Sequence, residues 1–206
     1  MNMKKHLTIL TVALFIAGVS AIINSDATGF VKENYSGNGN SLNLSLVQPG
    51  DLINMKGVLK YANLIGGLFP GYWHHTAIAE TAGSGGTMIE AWDSGVRRLY
   101  TSSTLTADEA CILRVNTSST VKTNAKNFAV SQIGKPYDYG WLLLVGVGTK
   151  DVNSSKWYCS ELAWAAYKRQ GIDIDKNPGW TVTYWNNVAP GEIYDDGDTY
   201  TVARAQ

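Results

Sequence analysis

Trp157-Tyr158-Cys159-Ser160-Glu161-Leu162-Ala163-Trp164-Ala165-Ala166-Tyr167 is the segment of this 206-residue chain from which both fold and chemistry are read. Leu162, Ala163, Ala166 and Tyr167 recur at helical spacing, and Gly171 supplies a stop. The spacing therefore predicts a helix from Ser160 onward, with Cys159 at or just before its first turn. A helix N-terminus has unpaired N–H groups and a partial positive charge. Both favour a thiolate over a thiol, the form in which cysteine is a nucleophile near neutral pH. Position alone fits a small buried hydrophobe better, because free cysteine is among the most buried residue types. The residues that accompany it decide between the two.

The chain opens with the basic stretch Met1-Asn2-Met3-Lys4-Lys5-His6, and Leu7 to Ile23 is mostly apolar and uncharged. Val19-Ser20-Ala21 and Ser25-Asp26-Ala27 both offer small-residue cleavage sites. Residues 1–23 thus read as a secretory signal peptide, cleaved near 21 or 27, and the expected location is secreted or cell-envelope. The rival is a retained anchor, but the run is at the short edge for spanning and lacks a positive flank after it. Membrane contact is expected only through the uncleaved signal segment. Residues 24–46, with Ser36-Gly37-Asn38-Gly39-Asn40-Ser41, read as a flexible leader, and 47–206 as the folded domain. After export about 180 residues remain, enough for one well-buried core.

Lysine plus arginine equals aspartate plus glutamate at 17 each, with no basic run. That gives no electrostatic footprint for nucleic acid. Seven Trp and eleven Tyr supply core and groove walls alike.

Val47 to Ile53 reads as a turn followed by a strand. Tyr61 to Phe69 reads as a short helix or an apolar loop. His75 to Glu80 and Thr87 to Trp92 read as strands joined by the turn Gly83-Ser84-Gly85-Gly86, with further strands at Gly95–Tyr100 and Ala110–Val115. Short turns between strands mean an antiparallel sheet. Val121, Ala125, Phe128, Ala129 and Ile133 form one helix face stopped by Gly134-Lys135-Pro136, and Thr199–Ala203 is expected to close the sheet. The class is α+β: an antiparallel sheet packed with helices.

After signal removal two histidines remain, His74 and His75. A thiol nucleophile needs an imidazole to take its proton, so the base is one of these two. Neighbouring strand residues face opposite sides, so only one aims into a site. For the same reason the pair cannot easily share one ion, and neither a metal nor a cofactor is expected. Glu90, flanked by Met88, Ile89, Ala91 and Trp92, is costly to bury unless partnered. It fits either a carboxylate that orients the histidine or a glutamate at the sheet rim. Cys111, in an apolar strand, raises a disulfide alternative with Cys159, although a domain of this size needs no staple.

His75-Thr76-Ala77-Ile78, Ile89-Glu90-Ala91 with Gly95-Val96, Gly134-Lys135-Pro136-Tyr137-Asp138 and Tyr158-Cys159-Ser160-Glu161-Leu162, in that order, resemble the YiiX-like family of circularly permuted NlpC-type, papain-like cysteine hydrolases. The opening Pro49-Gly50-Asp51-Leu52-Ile53 is similar too. The likeness covers residues 47 to 172 and departs in a long insert between Ile53 and His74. The resemblance implies a circularly permuted papain-like fold and selects His75 over His74. It implies that Cys159 attacks an amide or ester carbonyl, His75 acts as base and then acid, and Glu90 orients His75. Ser160, Tyr137 and Tyr158 are candidate oxyanion or substrate contacts. The expected substrate is a peptide, above all in the cell wall. The rivals are a lipid-directed thioesterase or acyltransferase, with Trp141 to Val145 as an interfacial surface, and a non-catalytic binding module.

Overall fold

In a computed structural model, residues 24–25, 31–58, 71–140, 150–181 and 183–206 are described. The expectations for the signal segment, for Tyr61 to Phe69 and for Trp141 to Gly148 fall outside those residues.

Among the described residues, eight strands form one sheet: β1 (Asn24–Ser25), β2 (Val31–Lys32), β3 (Leu52–Lys56), β4 (His75–Ala79), β5 (Thr87–Trp92), β6 (Gly95–Tyr100), β7 (Glu109–Val115) and β8 (Thr199–Ala205). Their order is β1-β2-β6-β5-β4-β3-β7-β8. The six strands from β6 to β8 are antiparallel, whereas β2 joins β6 in parallel, Val31 opposite Leu99. The described residues also form three α-helices: α1 (Ser119–Ser131), α2 (Cys159–Lys168) and α3 (Pro190–Asp195). The α+β antiparallel architecture expected from the sequence is the one observed.

The central strands are buried on both faces, so they read as near-continuous apolar runs. Leu52, Ile78, Ile89, Cys111 and Leu113 meet Ala125 and Ala129 of α1 and Leu162, Ala163, Ala166 and Tyr167 of α2 in one core. Ile53, Met55, Ala77, Ala79, Met88, Leu99 and Ile112 point the other way, into a second core roofed by Tyr35, Leu42, Leu44 and Val47.

That roof corrects the leader. Residues 33–46 are packed, with Tyr35, Leu42 and Leu44 buried. The polar residues between these anchors make specific bonds instead of loosening the segment. Asn40 donates to the carbonyls of Thr104 and Ala107 at 2.8 and 3.0 Å. Asn38 donates through its backbone and its side chain to Asp108. Gly37 passes so close that a Cβ there would lie 2.2 Å from the Asp108 nitrogen, which only glycine permits. An Asn/Ser/Gly composition looks mobile on average, but three apolar side chains suffice to dock it.

α1 carries Ala125 and Ala129 inward as expected and is capped by Ser118, whose hydroxyl accepts from the Val121 N–H. Ile133 lies past the helix end and is 39% exposed, so it is not part of that face. The Pro49-Gly50-Asp51 turn is held by Arg114, which donates twice to Asp51 at 2.8 Å, and by the Tyr167 hydroxyl, which donates to the Gly50 carbonyl at 2.5 Å. The second bond ties α2 to the start of the sheet.

Candidate active site

Three separated sequence runs are stitched together to place Cys159. Gly95, at φ +103°, brings the β5–β6 turn against Lys135, whose carbonyl would sit 2.6 Å from any Cβ. The Val96 N–H donates to the Lys135 carbonyl and the Gly134 N–H to the Val96 carbonyl, both at 2.8 Å. The Trp157 N–H donates to the Pro136 carbonyl at 3.1 Å, and the Asp138 N–H returns to the Trp157 carbonyl at 3.0 Å. Tyr158 is then the N-cap, and Cys159 is the first residue of α2.

On the sheet, Ala79 faces Met88 across β4 and β5. Counting by twos along each strand puts His75 and Glu90 on the same side. Their side chains meet, His75 Nε2 to Glu90 Oε2, at 2.6 Å. Glu90 occupies only Nε2, and Cys159 lies near enough to His75 for the charge of each to favour that of the other. Cys159 is 9% exposed, and Glu90 not at all.

Burial by itself would push the His75 pKa down. The Cys159 and Glu90 charges and hydrogen bonds outweigh it and raise it to about 10. Burial likewise works against the Cys159 thiolate, but His75, the Thr76 backbone and Ser160 prevail and hold the thiol below its ordinary range. Glu90 is pulled down to about 2, against burial, by His75, Arg97 and Tyr35. The favoured state is a thiolate–imidazolium pair backed by an ionised carboxylate.

Glu90 is held by more than the histidine. Arg97, directly opposite on β6, donates through Nε and Nη2 to Oε1 at 2.8 and 2.6 Å. Arg97 also pairs with Glu33 at 2.7 Å. The Tyr35 hydroxyl donates to Oε2 at 2.6 Å. Local pattern marks none of Glu33, Tyr35 and Arg97. One signal was available: Arg97 and Arg98 are adjacent in a strand, so one must face inward. Arg98 faces the other way, onto Glu80 at 2.6 Å.

The remaining candidates are placed as follows. The Ser160 hydroxyl donates to the Val188 carbonyl at 2.8 Å, and the Tyr158 hydroxyl accepts from the Val188 N–H at 3.0 Å. Both brace the chain leading into α3. Tyr137 stacks edge-on against Tyr139, 4.9 Å between centroids, and bridges Trp157 through the backbone. His74 lies one residue ahead of β4 and accepts the Gly57 N–H on Nδ1 at 3.2 Å; burial and Lys56 lower its pKa. Both cysteines are free thiols, and burial pushes Cys111 up to about 12. Glu161, 1% exposed, accepts from the Asp151 N–H at 2.9 Å, and burial raises its pKa to about 8.

The model of the family described as permuted papain-like amidase enzyme, YaeF/YiiX, C92 family, matches residues 46–202. The chain belongs to this family. The family is one of cysteine amidase-type hydrolases. A relative, the uncharacterized protein YycO of Bacillus subtilis (strain 168), is 28% identical over 148 residues, which is 71% of this chain and 55% of YycO. The chain thus spans about half the length of that relative. The crystal structure of YiiX from Escherichia coli O157:H7 superposes with a TM-score of 0.58 at 19% identity, covering 76% of this chain and 96% of that one. The superposition bears out the permuted papain-like fold. YiiX is titled a metalloprotein. Among the described residues here, no three His, Cys, Asp or Glu side chains are grouped to hold a metal ion.

Proposed function

We propose that this protein is an exported cysteine amidase that cleaves amide bonds in cell-wall peptides through a thioester on Cys159. The observation that carries the reading is the buried cluster in which His75 bonds Glu90 at 2.6 Å beside the Cys159 thiol. Family membership supports amide chemistry, and the basic-then-apolar start at residues 1–23 supports export.

The Cys159 thiolate attacks the scissile carbonyl carbon. The developing oxyanion lies at the N-terminus of α2, where the Cys159 backbone N–H and the helix dipole stabilise negative charge. His75, already protonated, gives its proton to the leaving amine, and the C–N bond breaks to leave a thioester. Water then attacks the thioester while His75 takes one of its protons; the C–S bond breaks to return the thiolate, and the product acid gives its remaining proton to solvent. Glu90 keeps the imidazole in the one orientation that serves both steps, with Nε2–H directed at the carboxylate.

Purified mature protein incubated with peptidoglycan muropeptides should release new amine and carboxylate termini, and Cys159→Ala should release none. Turnover of acyl esters of lipids with muropeptides left intact would instead favour the thioesterase reading. Equal turnover by Cys159→Ala would refute the thiol mechanism.

A further inference from the structure

We infer that Tyr35 is a positioning residue for the Glu90–His75 pair, so that the segment 33–46, ahead of nearly all of the family-matched region, completes the catalytic centre. This rests on the Cys159–His75–Glu90 reading above and adds a residue that lies outside residues 46–202.

A carboxylate offers about four lone-pair directions. In Glu90 all four are taken. Oε1 receives Arg97 twice, and Oε2 receives His75 Nε2 and the Tyr35 hydroxyl, both at 2.6 Å. Tyr35 therefore bonds the same oxygen that orients the histidine. Its ring lies 6.1 Å from the His75 ring and 5.5 Å from Trp92, while Trp92 meets His75 edge-on at 5.0 Å. The imidazole thus has the Tyr35 and Trp92 rings as neighbours, which restrict its rotation.

Tyr35 is itself held in place. Its backbone N–H donates to Thr106 Oγ1 at 2.7 Å, the Ser36 N–H to the Val58 carbonyl at 3.3 Å, and the Glu33 N–H to Ser103 Oγ at 3.0 Å. A phenylalanine would fill the same space. The hydroxyl, 96% of whose residue is buried, is retained against a desolvation cost and meets the carboxylate. Burial first, then Glu90, keeps that phenol protonated well above its ordinary range, so it remains a donor wherever the enzyme works.

The consequence has a sign. The charged groups facing His75 are Cys159 and Glu90; those behind Glu90 are Arg97 and Glu33, with Asp93 beside Glu33. The Tyr35 hydroxyl withdraws charge from Oε2. Without it Glu90 holds the Nε2 proton more firmly, and the imidazolium deprotonates at higher pH.

The test uses the full chain and hydrolysis across pH of a peptide p-nitroanilide, whose leaving amine needs the His75 proton. In Tyr35→Phe, kcat should fall about 10-fold with KM unchanged, the loss of one hydrogen bond to a charged group. The alkaline limb of the profile should move to higher pH. Incorporation of difluorotyrosine at position 35 keeps the ring and the fold but makes a stronger donor, so it should move that limb to lower pH. A Tyr35→Phe enzyme with wild-type kcat and limb, or a difluorotyrosine enzyme whose limb does not move, would overturn the inference. Cys159→Ala separates the two levels. If it still hydrolyses the anilide at the wild-type rate, the triad reading fails; if it is inactive while the Tyr35 variants behave as wild type, only the role of Tyr35 fails.

Discussion

Glu90→Gln changes one atom's worth of chemistry at the centre of the network. Glutamine occupies the same volume, but one carboxylate oxygen becomes an amide NH2, a donor. Arg97 donates twice to Oε1 and so selects the orientation that keeps oxygen there. The NH2 then faces His75 Nε2 and the Tyr35 hydroxyl, where Oε2 accepted both at 2.6 Å. Two donors cannot face one another, so His75 must present Nε2 as an acceptor and carry its proton on the nitrogen that faces Cys159. That tautomer cannot accept the thiol proton. Losing the orienting carboxylate in this way lowers kcat about 1000-fold or more. Removing one partner of a buried charge pair also destabilises by about 3 kcal/mol, or a Tm lower by about 10 °C for a domain of this size. The assay is the rate of carbamidomethylation by iodoacetamide at about pH 6.5, where an ordinary thiol is almost wholly protonated. Wild type should alkylate rapidly at Cys159, and the folded Glu90→Gln variant slowly, recovering only as pH approaches the ordinary thiol range. A folded variant that alkylates at the wild-type rate would refute the claim that Glu90 maintains the ion pair.

His75→Ala should lower kcat/KM about 1000-fold, whereas His74→Ala, whose imidazole is spent on the Gly57 N–H, should stay within about threefold by the same assay. The pH profile of kcat/KM should rise as Cys159 ionises below its ordinary range and fall as pH passes about 10, where His75 loses the proton it gives to the leaving group. Glu161 is protonated in the folded protein up to about pH 8 but ionises near its ordinary value when unfolded. The folded state therefore binds more protons, and this contribution to stability is full at acid pH and falls through neutrality until pH 8. Glu161→Gln should remove that slope, so the Tm difference, variant minus wild type, should grow from pH 5 to pH 8; a constant difference would contradict it.

Much of the site was legible because it is local. The start of α2 follows from apolar spacing after Cys159, and the β4–β5 pairing from a glycine-rich turn of four residues. Together they bring a histidine, a carboxylate and a thiol toward one place. Selecting His75 over His74 needed the family likeness, since strand alternation says only that one of the two faces in. The roof over the second core was not legible. Its three apolar anchors are spread over ten residues of polar sequence, and their partners lie far along the chain, as the Tyr35–Glu90 and Tyr35–Thr106 bonds show. Arg97 was hidden for a related reason: a charged residue on a strand usually marks solvent, and here it marks a buried carboxylate across the ladder. The hydroxyls of Ser160 and Tyr158 look like catalytic accessories in sequence because they flank Cys159. Geometry ties both to Val188, which only the folded chain brings near, and Ser160 favours the Cys159 thiolate as well.

The central claim is that Cys159 forms a thioester with the acyl group of its substrate. Mixing the protein with p-nitrophenyl acetate, quenching in acid within the first turnover and mapping peptides by mass spectrometry tests it directly. The account predicts a single acetyl group on Cys159, released by hydroxylamine, with Cys111 unmodified and His75→Ala unlabelled. Acetyl groups on Cys111 or elsewhere with Cys159 bare, in protein that turns the ester over, would contradict it.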